Sequence, residues 1–148
     1  MNTHLIAQRL RTAVNRAQAH LVKMDPDQVA RKETPTGWSK KEILGHLIDS
    51  AANNHQRFVR ACHDGAADFP TYDQNQWVQT QHHNEANWHA LIELWAAYNR
   101  HLSHVIEHLP QKAMDTSCNI GKEMSVTLEF MVEDYVRHLR HHLKRLGV

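Results

Sequence analysis

Gly37-Trp38-Ser39-Lys40-Lys41-Glu42-Ile43-Leu44-Gly45-His46-Leu47-Ile48-Asp49-Ser50 is the stretch from which the architecture can be read. Ser39 is placed to cap the first turn of a helix, and Glu42, three residues on, can reach back to the Ser39 backbone amide. That reciprocal pairing is a capping box. Trp38 before the cap and Ile43 inside it are spaced as a hydrophobic staple, which sets how the chain enters the helix. Apolar positions then recur at Ile43, Leu44, Leu47, Ala51 and Phe58 at helical spacing, and the pattern ends near Cys62-His63-Asp64-Gly65.

Three further amphipathic segments flank this one. Upstream, about 3 to 24, Leu5, Ile6, Leu10, Ala13, Val14, Ala17 and Leu21 share one face. Asp25-Pro26-Asp27 ends that helix, and Thr34-Pro35-Thr36-Gly37 is a connecting turn. Downstream, a helix starting near Asn84 or Asn87 carries Trp88, Leu91, Ile92, Trp95, Leu102, Ile106 and Leu109 and is stopped by Pro110. The last helix starts at Ser125 or Thr127, turns Leu128, Met131, Val132, Tyr135, Leu139, Leu143 and Leu146 inward, and is followed by Gly147 as a C-terminal cap. Between the second and third helices, residues 68–77 show little periodicity and read as a long loop, of the kind that often carries function. Residues 111–124 are irregular, with Asn119-Ile120-Gly121-Lys122 able to form a tight turn or small hairpin. Four amphipathic helices without a strand-rich region predict an all-α four-helix bundle forming a single domain over residues 1–148.

Composition narrows the function. Seventeen basic and sixteen acidic side chains leave a formal charge of +1 with no clustered basic face, which argues against a nucleic-acid partner. No apolar run approaches the ~20 residues of a membrane span, and the N-terminus lacks the charged-then-apolar order of a signal peptide, so a cytoplasmic location is expected. Cys62 and Cys118 form no CxxC pair and read as two reduced thiols.

Fourteen histidines are many for 148 residues, and the question is which of them converge. Only His104/His108 and His138/His142 stand four apart on a predicted helix, one turn apart on one face. Stepping 100° per residue puts His101, His104 and His108 opposite the apolar stripe of their helix, facing water. The same count places His138 and His142 on the flank of the buried face beside Met131 and Tyr135, whereas His141 points outward. His46 lies at the edge of the apolar side of the second helix, and Ser50, Asn53, Asn54 and Arg57 continue that edge. Polar groups along a core border suggest a pocket; side chains satisfied by neighbouring helices would produce the same pattern.

At this point the residues resemble a known family. The segment 37–50 is similar to the "GWSxKExxGHLxDS" stretch of the DinB-like, YfiT-like superfamily of metal-dependent hydrolases. Glu133-Asp134-Tyr135-Val136-Arg137-His138-Leu139-Arg140-His141-His142-Leu143 is similar to its closing HxxxH helix, and Phe69-Pro70-Thr71-Tyr72-Asp73-Gln74-Asn75-Gln76-Trp77-Val78 to a loop of one branch. The resemblance spans nearly the whole chain. It implies a four-helix bundle of the DinB/YfiT-like type with one histidine from the second helix and two from the last on a divalent ion, here His46, His138 and His142.

Three neutral imidazoles without a carboxylate suit zinc or nickel and leave a coordination position open, as in a catalytic site. The expected function is a metal-dependent enzyme acting on a small molecule, either a hydrolase or a transferase of low-molecular-weight thiols. Asp49 and Asp134 are the candidate acid/base or ligand-orienting carboxylates. Tyr72, Asp73 and Trp77 are candidates to close over the pocket, and Asn53 and Arg57 to bind a polar substrate group. The alternative is a non-catalytic metal- or ligand-binding bundle with a stress-related or sensing role. A homodimer is a further expectation, although no apolar surface patch is legible to carry it.

Overall fold

A computed structural model describes residues 2–63, 67–121 and 124–148. Four long helices dominate: α1 (Thr3–Leu21), α3 (Lys40–His63), α5 (Trp88–Glu107) and α6 (Leu128–Leu146). Each expected start is fixed by a side chain. Asn2 accepts from the Leu5 amide, Asn87 from Ala90 and Thr127 from Phe130, which decides between the two starts open for each of the last two helices. At α3 the capping box is closed in both directions, Glu42 N donating to Ser39 Oγ at 3.1 Å and Ser39 N to Glu42 Oε1 at 3.3 Å. Gly147 adopts the left-handed conformation (φ 82°) that ends α6.

The short helix α2 (Pro26–Val29) follows α1, capped by Asp25 with proline in its first turn. The segment expected as a long loop is more ordered than its sequence suggests. It contains a strand, β1 (Ala67–Phe69), and a two-turn helix, α4 (Gln74–Gln81), whose first amides are capped by Asp73 Oδ1 at 3.0 Å. The hairpin foreseen near residue 120 forms from β2 (Ser117–Ile120) and β3 (Met124–Thr127), with β1 added in parallel to β2. Lys122 of that turn, and Asp64 and Gly65 at the expected end of the second helix, lie outside the described residues. Short polar strands such as Ser117-Cys118-Asn119-Ile120 carry too few apolar residues to signal a sheet from sequence.

Connectivity is what positions the site. The main helix neighbours are α1 with α5 and α6, and α3 with α5 and α6, so the first two long helices are diagonal rather than adjacent. Helices α3 and α6 therefore meet although far apart in sequence. The core joins apolar faces from all four, with Leu10, Leu21, Leu44, Leu47, Phe58, Trp88, Trp95, Ile92 and Leu128 almost fully buried. Several polar groups inside it are paired: Trp88 Nε1 donates to Leu21 O at 3.0 Å, Ser103 Oγ to Ala7 O at 2.8 Å and Tyr135 Oη to Asn99 Oδ1 at 2.5 Å. No helix among the described residues is long and apolar enough to cross a membrane.

Candidate metal centre

The α3 cap fixes where His46 falls, two turns into the helix and on the side facing α6. Every residue from Lys41 to Ala51 is buried. His138 and His142 stand one turn apart on the facing side of α6, and the three rings converge. His46 Nε2 and His138 Nε2 lie 3.2 Å apart, and the ring centroids of His142 lie 4.8 Å from His46 and 4.5 Å from His138. One ligand atom from each residue falls within 4.8 Å of the others. His46 and His142 are buried and His138 is half-buried, whereas His141, His101, His104 and His108 are exposed.

These residues fit a metal ion. Two imidazole nitrogens bound tetrahedrally at 2.0–2.1 Å from zinc are separated by about 3.3 Å, close to the His46–His138 spacing. The Nδ1 atoms of His46 and His142 are buried with no hydrogen-bond partner. Leaving such groups unpaired costs about 1–3 kcal/mol each, and with the ion on His46 Nε2 the His46 Nδ1 stays unpartnered, so the fit rests on the spacing and on the neutral rings. Burial, then repulsion from His138, pushes His46 down to about 4, with Asp49 opposing. Burial, followed by the charges of His138 and His46, lowers His142 to about 3. Burial also lowers His138, against the pull of Asp134. All three are therefore neutral at neutral pH, the form whose lone pair binds metal.

A ring of supporting contacts surrounds His46. The Trp38 ring lies 4.8 Å from it, so the staple residue also roofs the site. Asp49, 2% exposed, accepts a 2.8 Å hydrogen bond from Gln81 Nε2 through Oδ1. Its Oδ2 has no hydrogen-bond partner and sits 3.8 Å from the equally unpartnered Nε2 of buried His83. Gly45 makes room for His83, because a Cβ there would stand 2.2 Å from its ring. Asn84 anchors this segment to the α3 cap, donating to Glu42 Oε1 at 3.1 Å and accepting from Ser39 Oγ at 2.5 Å.

Beside the histidines a cavity of about 190 Å³ opens between α3, α6 and the sheet. His46, Ser50, Asn54 and Arg57 line one wall from α3, Tyr72 and Gln74 close a second, and Met124, Phe130 and Met131 form an apolar third. Of the residues singled out in the sequence, Arg57, Tyr72 and Asp134 reach this cavity; Asn53, Asp49 and Trp77 do not line it. Asn53 Nδ2 is turned to its own helix, donating to Asp49 O at 2.9 Å. Trp77, 38% exposed on α4, stands 5.2 Å from the Tyr72 ring. Asp134 is ion-paired with Arg137. Ser50 and Asn54, on the polar edge of α3 read from the sequence, also line it, whereas His83, Gln81 and Gln74 have no counterpart in the sequence reading. The one available signal was Gly45, a glycine in a helix interior, which often marks close approach by another group.

The class so defined is a four-helix bundle with a largely buried three-histidine cluster and a small adjoining cavity. Residues 9–146 match the DinB superfamily, and the chain belongs to that family. A protein of Oceanobacillus iheyensis named "Putative metal-dependent hydrolase OB0413" is 22% identical over 147 residues, covering 98% of this chain and 83% of that one. Among solved structures, the fold is shared with YfiT from Bacillus subtilis, titled "a probable metal-dependent hydrolase with an unusual four-helix bundle topology". That likeness has a TM-score of 0.85 at 19% identity over 98% of this chain and 87% of YfiT. The mycothiol-dependent maleylpyruvate isomerase shares the fold at TM-score 0.80 and 13% identity, covering all of this chain and 62% of the other.

Proposed function

We propose that this protein is a metal-dependent enzyme acting on a small molecule, a hydrolase or a transferase of low-molecular-weight thiols, with His46, His138 and His142 as the ligands of one divalent ion. Zinc or nickel suits three neutral imidazoles best. The observation that carries this reading is the meeting of three neutral rings from α3 and α6, two buried and one half-buried, of which His46 and His138 line the adjoining cavity. A bound ion would supply Lewis acidity at its open position, lowering the pKa of a water or thiol there.

The chain's own groups do the rest. Trp38 and the buried face of α3 exclude water from one side of the rings, and the apolar wall of Met124, Phe130 and Met131 takes the hydrocarbon part of a substrate. Ser50 and Gln74 offer polar contacts opposite. Among the described residues the one carboxylate on the cavity, Asp134, is ion-paired with Arg137, which favours thiol transfer over a hydrolysis that needs a free general base. The mycothiol-dependent isomerase that shares the fold makes thiol use a reading to test beside the hydrolase named in the other matches. Asp49, below His46, acts in this reading by orienting the ligand helix.

Metal analysis of the purified chain should find about one ion per molecule. Replacing His46 and His142 by Ala should remove it, together with any turnover in assays of esters, amides and thiol-plus-electrophile pairs. A double variant that keeps its metal would overturn the ligand assignment. Full metal occupancy without turnover in any of these assays would favour the non-catalytic binding bundle.

A further inference from the structure

Arg57 is a cation built into the cavity with no anion beside it among the described residues. It stands eleven residues after His46 on the stripe of α3 that also carries Ser50 and Asn54, so it marks the far end of the same wall. Its position is held from two sides. Nη2 donates to Pro70 O at 3.2 Å, and the guanidinium carbon lies 6.0 Å from the centre of the Tyr72 ring. Among the described residues no carboxylate comes within ion-pair distance of it, and Asp134, which shares the cavity, is paired with Arg137. Burial lowers its pKa, yet a guanidinium keeps its charge at any physiological pH.

A half-buried charge facing polar and aromatic groups but no counter-ion is costly unless something that binds there supplies one. We infer that Arg57 is the anchor for a carboxylate on the substrate, so that the cavity selects small amphipathic carboxylic acids. Three features choose that class. The planar guanidinium presents paired N–H groups that match a carboxylate's two oxygens, and one edge remains free beyond the bond to Pro70. A single cation balances one negative charge; a phosphate dianion would need more donors than this wall offers. The facing Met124, Phe130 and Met131 suit a short hydrocarbon body, and about 190 Å³ admits only a small one. This rests on the reading of the three histidines as a metal site, with His46 and His138 at the reactive end of the same cavity and Arg57 setting which molecules present their other end to it.

The probes are pentanoate and its uncharged counterpart pentanamide, followed by ligand-observed NMR on the full chain. Because carboxylates also bind metals, the decisive titration uses the metal-free protein. The expected result is pentanoate bound at least about tenfold more tightly than pentanamide, a charge-assisted hydrogen bond being the difference. Arg57→Gln should erase that preference, and Arg57→Lys, which keeps the charge and loses the fork, should retain part of it. Equal affinity for acid and amide in the wild type would overturn the inference without any variant. So would an Arg57→Gln protein, folded by circular dichroism, that still prefers the acid. Metal content read on the same samples separates the two claims: a chain that binds no ion yet selects the acid refutes the metal assignment and leaves the anchor standing.

Discussion

Replacing Gly45 by Ala tests the close packing beneath the candidate site. A Cβ at this position would lie 2.2, 2.3 and 2.4 Å from Cδ2, Cγ and Nε2 of His83, where carbon atoms in contact sit about 3.5–4.0 Å apart. The ring must therefore retreat by more than about 1 Å. It has little room, since His83 is 5% exposed and its neighbour Asn84 is tied to Ser39 and Glu42. Overpacking of this kind costs about 1–3 kcal/mol. Against it stands the gain of about 1 kcal/mol for Ala over Gly inside a helix. The net expectation is a loss of about 0–2 kcal/mol, or a fall in Tm of up to several degrees for a chain this long. A double-mutant cycle sharpens the test. In a His83→Ala background the obstructing ring is gone, so the same Gly45→Ala change should stabilise by up to about 1 kcal/mol. Urea denaturation followed by circular dichroism measures both arms. A Gly45→Ala variant that is stabilised equally in the two backgrounds would refute the contact between α3 and the His83 segment.

Three other outcomes follow from single contacts. Tyr135→Phe removes the donor to Asn99 Oδ1 in the bundle centre and should cost about 1–3 kcal/mol in urea unfolding, because the amide oxygen is left buried and unpaired. Ser39→Ala removes an N-cap that also binds Asn84, and should lower stability by about 1–2 kcal/mol by the same measurement. For pH, His46 and His142 are held at about 4 and about 3 when folded, against 6.5 when unfolded, so between these values the unfolded chain takes up protons that the folded chain refuses. Stability of the metal-free protein should thus be fully present above about pH 6.5 and fall as pH drops towards 4, by about 2 kcal/mol per histidine at pH 5. The His46→Ala/His142→Ala variant should show a much shallower slope between pH 7 and 5 in the same denaturation series.

Much of the fold could be read because its helices announce their ends chemically. Ser39 with Glu42, Asn87, Thr127 and Gly147 are local signals, each satisfied within a few residues of itself, and each is used in the folded chain as spacing predicted. The apolar periodicity of α5 and α6 identified their buried faces for the same reason. What stayed hidden depends on partners distant in sequence. Strand β1 is three residues long and gains its meaning only from pairing with Cys118 to Ile120, and α4 is a short helix of mostly polar residues whose amphipathicity is weak. A sequence window sees neither the neighbour that β1 completes nor the α3 surface on which α4 rests.

The same distinction governs the site. His138 and His142 pair by counting along one helix, and His46 stands out at a core edge, so three rings belonging to regular, well-capped helices are legible in the sequence. Arg57 was visible as a polar residue on that edge, but its want of a counter-ion is a fact about α6 and residues 67–81 together, and no local pattern encodes it. His83 illustrates the limit from the other side. Its sequence surroundings, His82 and Asn84, read as polar turn residues, yet the ring is drawn into the interior beside Asp49 by the anchoring of Asn84 to the α3 cap. Gly45 was the only trace of this in the sequence, since an interior glycine costs helix stability and is kept where a Cβ would collide. The capping box therefore does two things at once: it starts α3 in the register that turns His46 towards α6, and through Asn84 it holds the segment that fills the space behind that histidine.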